Sequence, residues 1–123
     1  MRLLAIGAVL LTVFVGQLTY YREGLMEEVY RNRLAWGHVE PCPRCIGQIA
    51  VLDRAHLGKH AYLTVNGATT GPYLVVDVAA EKDRERLRAR GLVAEVDHAT
   101  ARRFGMLGGP LEGVRVFVMS DYR

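Results

Sequence analysis

The sequence predicts a mainly β domain: a small closed barrel of five or six short strands with one short helix, preceded by an apolar N-terminal helix. Three features carry this. Short apolar runs recur at residues 48–52, 61–65, 73–76, 92–96 and 114–119, separated by Asn66-Gly67, Gly71-Pro72, Gly91 and Gly108-Gly109-Pro110. Residues 3–21 carry no charge, with Arg2 before them and Arg22 after. Between these regions, residues 21–36 space their apolar side chains as a helix does.

The uncharged run of about 19 residues is long enough to cross a bilayer as a helix. Tyr20 and Tyr21 would sit at the headgroup level, where rings with a polar tip are favoured. A cleaved signal peptide fits the same pattern, although no small-x-small site follows, since Phe14 precedes Gly16 by two residues. Both readings place residues 1–21 apart as a signal-anchor or signal peptide and export the remainder; the uncleaved anchor makes the cytoplasmic membrane a partner through this helix, and the cleaved signal leaves the domain secreted. In residues 22–45, Leu25, Met26, Val29, Tyr30 and Leu34 make a short amphipathic helix, ended by Gly37 and Pro41, and a linker holding the two cysteines follows. Residues 46–123 form the barrel. Closure removes the exposed edges that so small a sheet would otherwise present. One helix near residues 97–104 interrupts the strands, with Asp97 as its N-cap and Gly105 as its stop.

At 123 residues there is room for one domain. Apart from Arg2 the chain has 15 basic against 13 acidic residues, which gives nucleic-acid binding little support. The run from Glu81 to Arg90 alternates sign through its first half, as a solvated loop or short helix does; a clamp for an anionic polymer is the functional alternative.

The segments Val75-Val76-Asp77, Glu95-Val96-Asp97-His98-Ala99-Thr100-Ala101, Phe104-Gly105-Met106 and Gly113-Val114-Arg115-Val116 follow one another in a telling order. Two strands end in aspartate, a helix with two alanines follows the second, and a Gly stop precedes a Val-rich last strand. This order resembles the rare lipoprotein A (RlpA) family of double-psi β-barrels, related to expansin and family 45 endoglucanase domains. The stretch from His56 to Gly67 is similar to the part of that family leading into its second strand. The resemblance covers about 60% of the chain. It implies a six-stranded double-psi barrel outside the cytoplasmic membrane, acting on the cell wall. The departures are that Val78-Ala79-Ala80 replaces Arg-Gly-Pro after the first aspartate, His98-Ala99 replaces Leu-Ser after the second, and Asp53 or, with a shift, His56 stands where lytic members place a histidine.

Cutting a glycosidic bond needs a proton for the leaving oxygen and stabilisation of positive charge at the anomeric carbon, which two carboxyl groups supply. A lytic transglycosylase manages with one acid/base group, because a hydroxyl of the sugar itself attacks. Asp77 is the candidate acid/base, and Asp97 would orient the sugar or stabilise charge. Against these roles stand a turn-forming Asp77 and an N-capping Asp97. Tyr73, Tyr62, His56 and His98 are the candidate substrate contacts. Tyrosines on barrel strands also serve as packing residues, and Trp36 would either plug a barrel end or stack on sugar.

Cys42-Pro43-Arg44-Cys45 reads as a local disulfide between Cys42 and Cys45, with half of a metal site, a redox centre or free thiols as alternatives. His38, His56, His60 and His98 have no dependable metal-ligand spacing, so neither a metal site nor a cofactor is expected. The leading expectation is an exported domain that binds peptidoglycan glycan strands, with lytic transglycosylase activity as an added expectation. The alternatives are a non-catalytic carbohydrate-binding or wall-loosening module and a membrane-tethered structural or redox domain using the cysteine pair.

Overall fold

The computed structural model describes residues 2–6 and 9–121. In chain order its elements are β1 (Arg2–Ile6), β2 (Val9–Tyr20), α1 (Leu25–Ala35), β3 (Gly47–Val51), a single 3-10 turn (Arg54–His56), β4 (His60–Val65), β5 (Ala68–Val78), α2 (Glu81–Ala89), β6 (Leu92–Val96), α3 (His98–Arg103) and β7 (Leu111–Asp121). Six strands close into a barrel in the order β2-β6-β3-β5-β4-β7, with β7 pairing back onto β2; β1 adds to β2 as a hairpin outside the ring. Two pairs are parallel, β2 with β6 and β3 with β5, and the other four in the ring are antiparallel.

Five barrel strands fall where apolar runs flanked by turns place them. The sixth is β2, drawn from the uncharged run expected as a helix across residues 3–21. Of residues 1–21, Met1, Gly7 and Ala8 lie outside the described residues, while Val9–Tyr20 pairs with β7 from Val9 to Leu18 and with β6 from Gln17 to Tyr20. Thr12, Val13, Phe14, Val15, Thr19 and Tyr20 are β-branched or aromatic, the types that suit a pleated surface. A strand paired along both edges needs no polar residues to solvate its backbone, so it reads like a continuous apolar helix. Among the described residues no helix is long and apolar enough to cross a membrane.

The barrel interior follows the period of two that strands impose. Ile49 and Val51, Ala61 and Leu63, Tyr73 and Val75, Ala94 and Val96, and Val114, Val116 and Val118 point inward beside Leu18, all essentially buried. Each valine or leucine so buried contributes about 1.5–3 kcal/mol. A second apolar cluster lies on the outer surface, where Met26 of α1 packs with Val39 against Ala50, Leu74 and Val76, and Val29, Tyr30 and Leu34 complete the helix face. The amphipathic helix expected after the apolar run therefore forms, and its face lies on β3 and β5.

Three local differences matter for the site. Gly71-Pro72, expected as a turn, lies inside β5 at an irregularity in the pairing with β4 between Ala61 and Leu63. Gly71 has φ 144°, and a Cβ there would lie 2.6 Å from the Tyr62 ring and 2.9 Å from the Ala61 carbonyl oxygen, so only glycine fits. The alternating-charge run is helical as α2, with no buried residue and with Arg86–Asp83 and Arg88–Glu85 ion pairs on its surface. The single short helix expected in the barrel region is thus joined by α2 and the 3-10 turn. At the other end of the scale, β6 spans residues 92–96 as expected, and α3 starts at the Asp97 cap.

Candidate functional site

Asp97 follows the last residue of β6 and is 4% exposed. Its Oδ2 accepts the Thr100 backbone N–H (3.1 Å), and its Oδ1 accepts the Gln48 N–H (3.1 Å) and the Thr100 hydroxyl (2.7 Å). Arg103 donates to the Thr100 hydroxyl (2.9 Å) and to the Ile46 carbonyl (3.2 Å). Gly47 makes this crowding feasible. It pairs with Tyr73 across β3 and β5, and a Cβ there would stand 2.7 Å from Asp97 Oδ1 and from the Thr100 hydroxyl, and 3.1 Å from the Tyr73 ring. Asp97 and Tyr73 are thereby brought together at one end of the barrel. Tyr73 is 1% exposed and exchanges a hydrogen bond with Thr70 (2.7 Å). Burial pushes its phenol up from the ordinary value, so it stays protonated at neutral pH. A carboxylate with both oxygens occupied by three donors holds the helix start in place.

Asp77 stands elsewhere. In the pairing of β3 with β5, Ile49 faces Val75 while Ala50 faces Asp77, so Val76 is an extra residue. This bulge turns two successive side chains outward: Val75 joins the barrel core, whereas Val76 joins the cluster beneath α1 and Asp77 follows it. Tyr21 donates to Asp77 Oδ2 (2.7 Å), and Oδ1 accepts from Arg33 (3.2 Å) and from the Val78 N–H (3.0 Å). Arg33 also donates through Nε to the Val76 carbonyl (3.1 Å), and its third nitrogen lies 3.0 Å from His38 Nδ1. The carboxylate thus ties α1 and the end of β2 to β5.

Ala50 is flanked on its other side by Glu95 of β6, which in turn pairs with Thr19 of β2. Asp77 and Glu95 therefore occupy one face of the sheet with only the small Ala50 between them. Burial, then repulsion from Asp77, pushes the Glu95 carboxyl up from its ordinary value, against a Thr19 hydrogen bond and Arg90. Burial, then the hydrogen bond to Asp77, raises the Tyr21 phenol as well. A strained pair of carboxyls is how an acid and a base are set apart in many active sites. Here the cavity lined by Tyr21, Leu87 and Glu95 measures about 50 Å3, space for a water and far too little for a sugar ring. Glu95, Tyr21 and Arg33 were not among the residues expected at a site. Glu95 has one signal in the sequence, its place between the apolar Ala94 and Val96 of a period-two strand, which turns its polar group away from the core.

Asp77 and Asp97 are thus not brought together: one lies on the outer face beneath α1, the other at the barrel end against Tyr73. The remaining candidates are scattered too. Tyr62 lines a cleft of about 260 Å3 with Arg44, Lys59 and His60. His56 is 7% exposed and stacks edge-on against Phe14 (5.6 Å), and burial lowers the pKa of its ring. His98, the first residue of α3, meets the Tyr20 ring at 6.0 Å and Glu23 at 4.0 Å. Cys42 and Cys45 form the expected disulfide. Trp36 is 64% exposed, so it plugs no barrel end; its ring leans on His38 at 5.5 Å. Comparison of the chain with protein-family models, with curated proteins and with solved structures finds no match in any of the three.

Proposed function

We propose that this chain is an extracytoplasmic, cell-wall-associated domain that binds peptidoglycan glycan strands without cutting them. The observation that carries this reading is Trp36, the most exposed large apolar side chain among the described residues, held against His38, which Arg33 contacts in turn. An indole left in water at that cost is a platform for the C–H face of a sugar ring, with the nearby polar groups available to its hydroxyls. The closed six-stranded barrel with two parallel pairs supports the finer assignment as a double-psi barrel of the RlpA type. The disulfide fits an oxidising compartment.

Binding is preferred to lytic transglycosylase activity because Asp77 and Asp97 each have both carboxylate oxygens occupied by hydrogen-bond donors, which leaves neither free as the one acid/base group such an enzyme needs. The test is co-sedimentation of the full chain with purified insoluble peptidoglycan, with mass spectrometry of the supernatant. Bound protein and no released anhydro-ended fragments are expected. Trp36→Ala should weaken binding about fivefold, as expected for an aromatic platform worth about 1 kcal/mol. Unchanged binding by that variant would remove the platform from the reading. Anhydro-ended fragments that vanish with Asp77→Asn would establish the lytic alternative.

A further inference from the structure

Cys42 and Cys45 sit at the start of the segment leading into β3, and His60 begins β4, some fifteen residues later. The fold nevertheless brings them together: one ligand atom from each of the three lies within 4.8 Å of the others, and all three side chains are half-buried. Both parts rest on rigid structure. The Cys45 N–H bonds to the Cys42 carbonyl (3.1 Å), the Ile46 N–H to the Pro72 carbonyl (2.8 Å), and His60 is paired with Leu74 on one side and Met119 on the other. We propose that on reduction Cys42, Cys45 and His60 form a three-ligand site for a divalent metal of the zinc type. The disulfide and the metal site are then alternative states of the same two sulfurs.

The chemistry balances as follows. A dithiol gives two electrons and two protons to the Cys42–Cys45 bond; that bond breaks, both cysteines become thiols, and the dithiol closes to its own disulfide. Metal binding then releases the two thiol protons to solvent, since only thiolates ligate. Two thiolates and a neutral imidazole neutralise a divalent ion, and a tetrahedral ion with three protein ligands keeps a fourth position for water. His60, Arg44 and Lys59 line the adjoining cleft of about 260 Å3. The positive charges of Arg44 and Lys59 make an anion a suitable replacement for the water.

The test is a cobalt(II) titration of the full chain, reduced with a dithiol and freed of it anaerobically. One cobalt per chain should bind, with a thiolate-to-cobalt charge-transfer band and the visible bands of tetrahedral cobalt. The oxidised chain should give neither. His60→Ala should weaken cobalt binding roughly tenfold or more, because ligand-shell losses have effects of at least that size. Should circular dichroism show that variant unfolded, His60→Asn is read in its place. Absence of the charge-transfer band in the reduced chain, equal binding by the oxidised chain, or unchanged affinity in the folded His60 variant would each overturn the proposal.

Discussion

Asp77 and Asp97 each end an apolar run, yet they are held in opposite ways. Asp97 is bound by neighbours in its own turn, Thr100 above all, with Gln48 the single distant donor. Asp77 takes its main partners from 56 and 44 residues away, Tyr21 and Arg33. The first is a local cap that strand-to-helix geometry alone demands; the second is a tertiary clasp that exists only once β2 and α1 are packed on the barrel. What the pair teaches is that aspartates at strand ends can both be fully engaged in structure while looking like a catalytic couple.

The difference is most severely tested by removing residues 1–21. That deletion takes β2 from between β6 and β7, opens two strand edges and removes Tyr21, whose N–H also bonds to the Val96 carbonyl beside Asp97. The expected result is loss of cooperative thermal unfolding, read by circular dichroism. A cooperative transition in the shortened chain would show that the barrel closes without β2, and the clasp on Asp77 would then be dispensable to the fold.

Next in size is Asp97→Ala. It removes the cap of α3 and leaves the Gln48 and Thr100 donors without an acceptor in a buried place, so urea unfolding should show a loss of about 2–3 kcal/mol. Asp97→Asn keeps an acceptor oxygen and should recover part of it. A loss under about 1 kcal/mol for the alanine variant would mean that the turn is held by something other than the cap. The clasp should be weaker, because the Asp77 and Arg33 side chains keep 23% and 19% of their surface in water. Tyr21→Phe and Asp77→Asn should each cost about 1 kcal/mol, with less than the sum for the double variant. Strict additivity would deny that Tyr21 and Asp77 act on each other.

The legible parts of the fold share the cap's locality. Residues 92–96 and the start of α3 are legible because a period-two run, an N-cap residue and a glycine stop follow one another within fourteen positions. The face of α1 was legible from spacing alone, although its packing partner was not. β5 extends beyond the 73–76 span that the sequence predicts: Gly71-Pro72 carries turn chemistry, and only the tertiary approach of Tyr62 explains why a strand would use it. β2 looks like a membrane-spanning helix in sequence for a reason of solvent: apolar length measures how little water a segment meets, and a strand paired on both edges meets as little as a helix in lipid. The bulge that turns Asp77 outward leaves no mark in composition. Without it, neither the separation of the two aspartates nor the meeting of Asp77 with Glu95 could be foreseen.

Glu95 offers the finest test, because it probes the Asp77 side of the comparison without removing any of its hydrogen bonds. Burial and the neighbouring Asp77 raise its folded-state pKa above the ordinary 4.5. The folded chain therefore holds this proton more tightly than the unfolded chain does. Below the unfolded value both states are protonated and the group's contribution to stability is complete. As pH rises through the window up to the folded value, the unfolded state releases its proton first and stability falls. Glu95→Gln keeps a group of the same shape that can still meet Thr19, and it has no proton to lose in that window. Urea midpoints taken from acid to neutral pH should coincide for the two proteins at the acid end, with the variant becoming the more stable as pH rises. The effect should be smaller than those above, since the carboxyl is only partly removed from water. A difference that is constant with pH, or that widens toward acid, would show that Glu95 does not feel Asp77 across Ala50, and that the outer face holds one clasped carboxylate and no coupled pair.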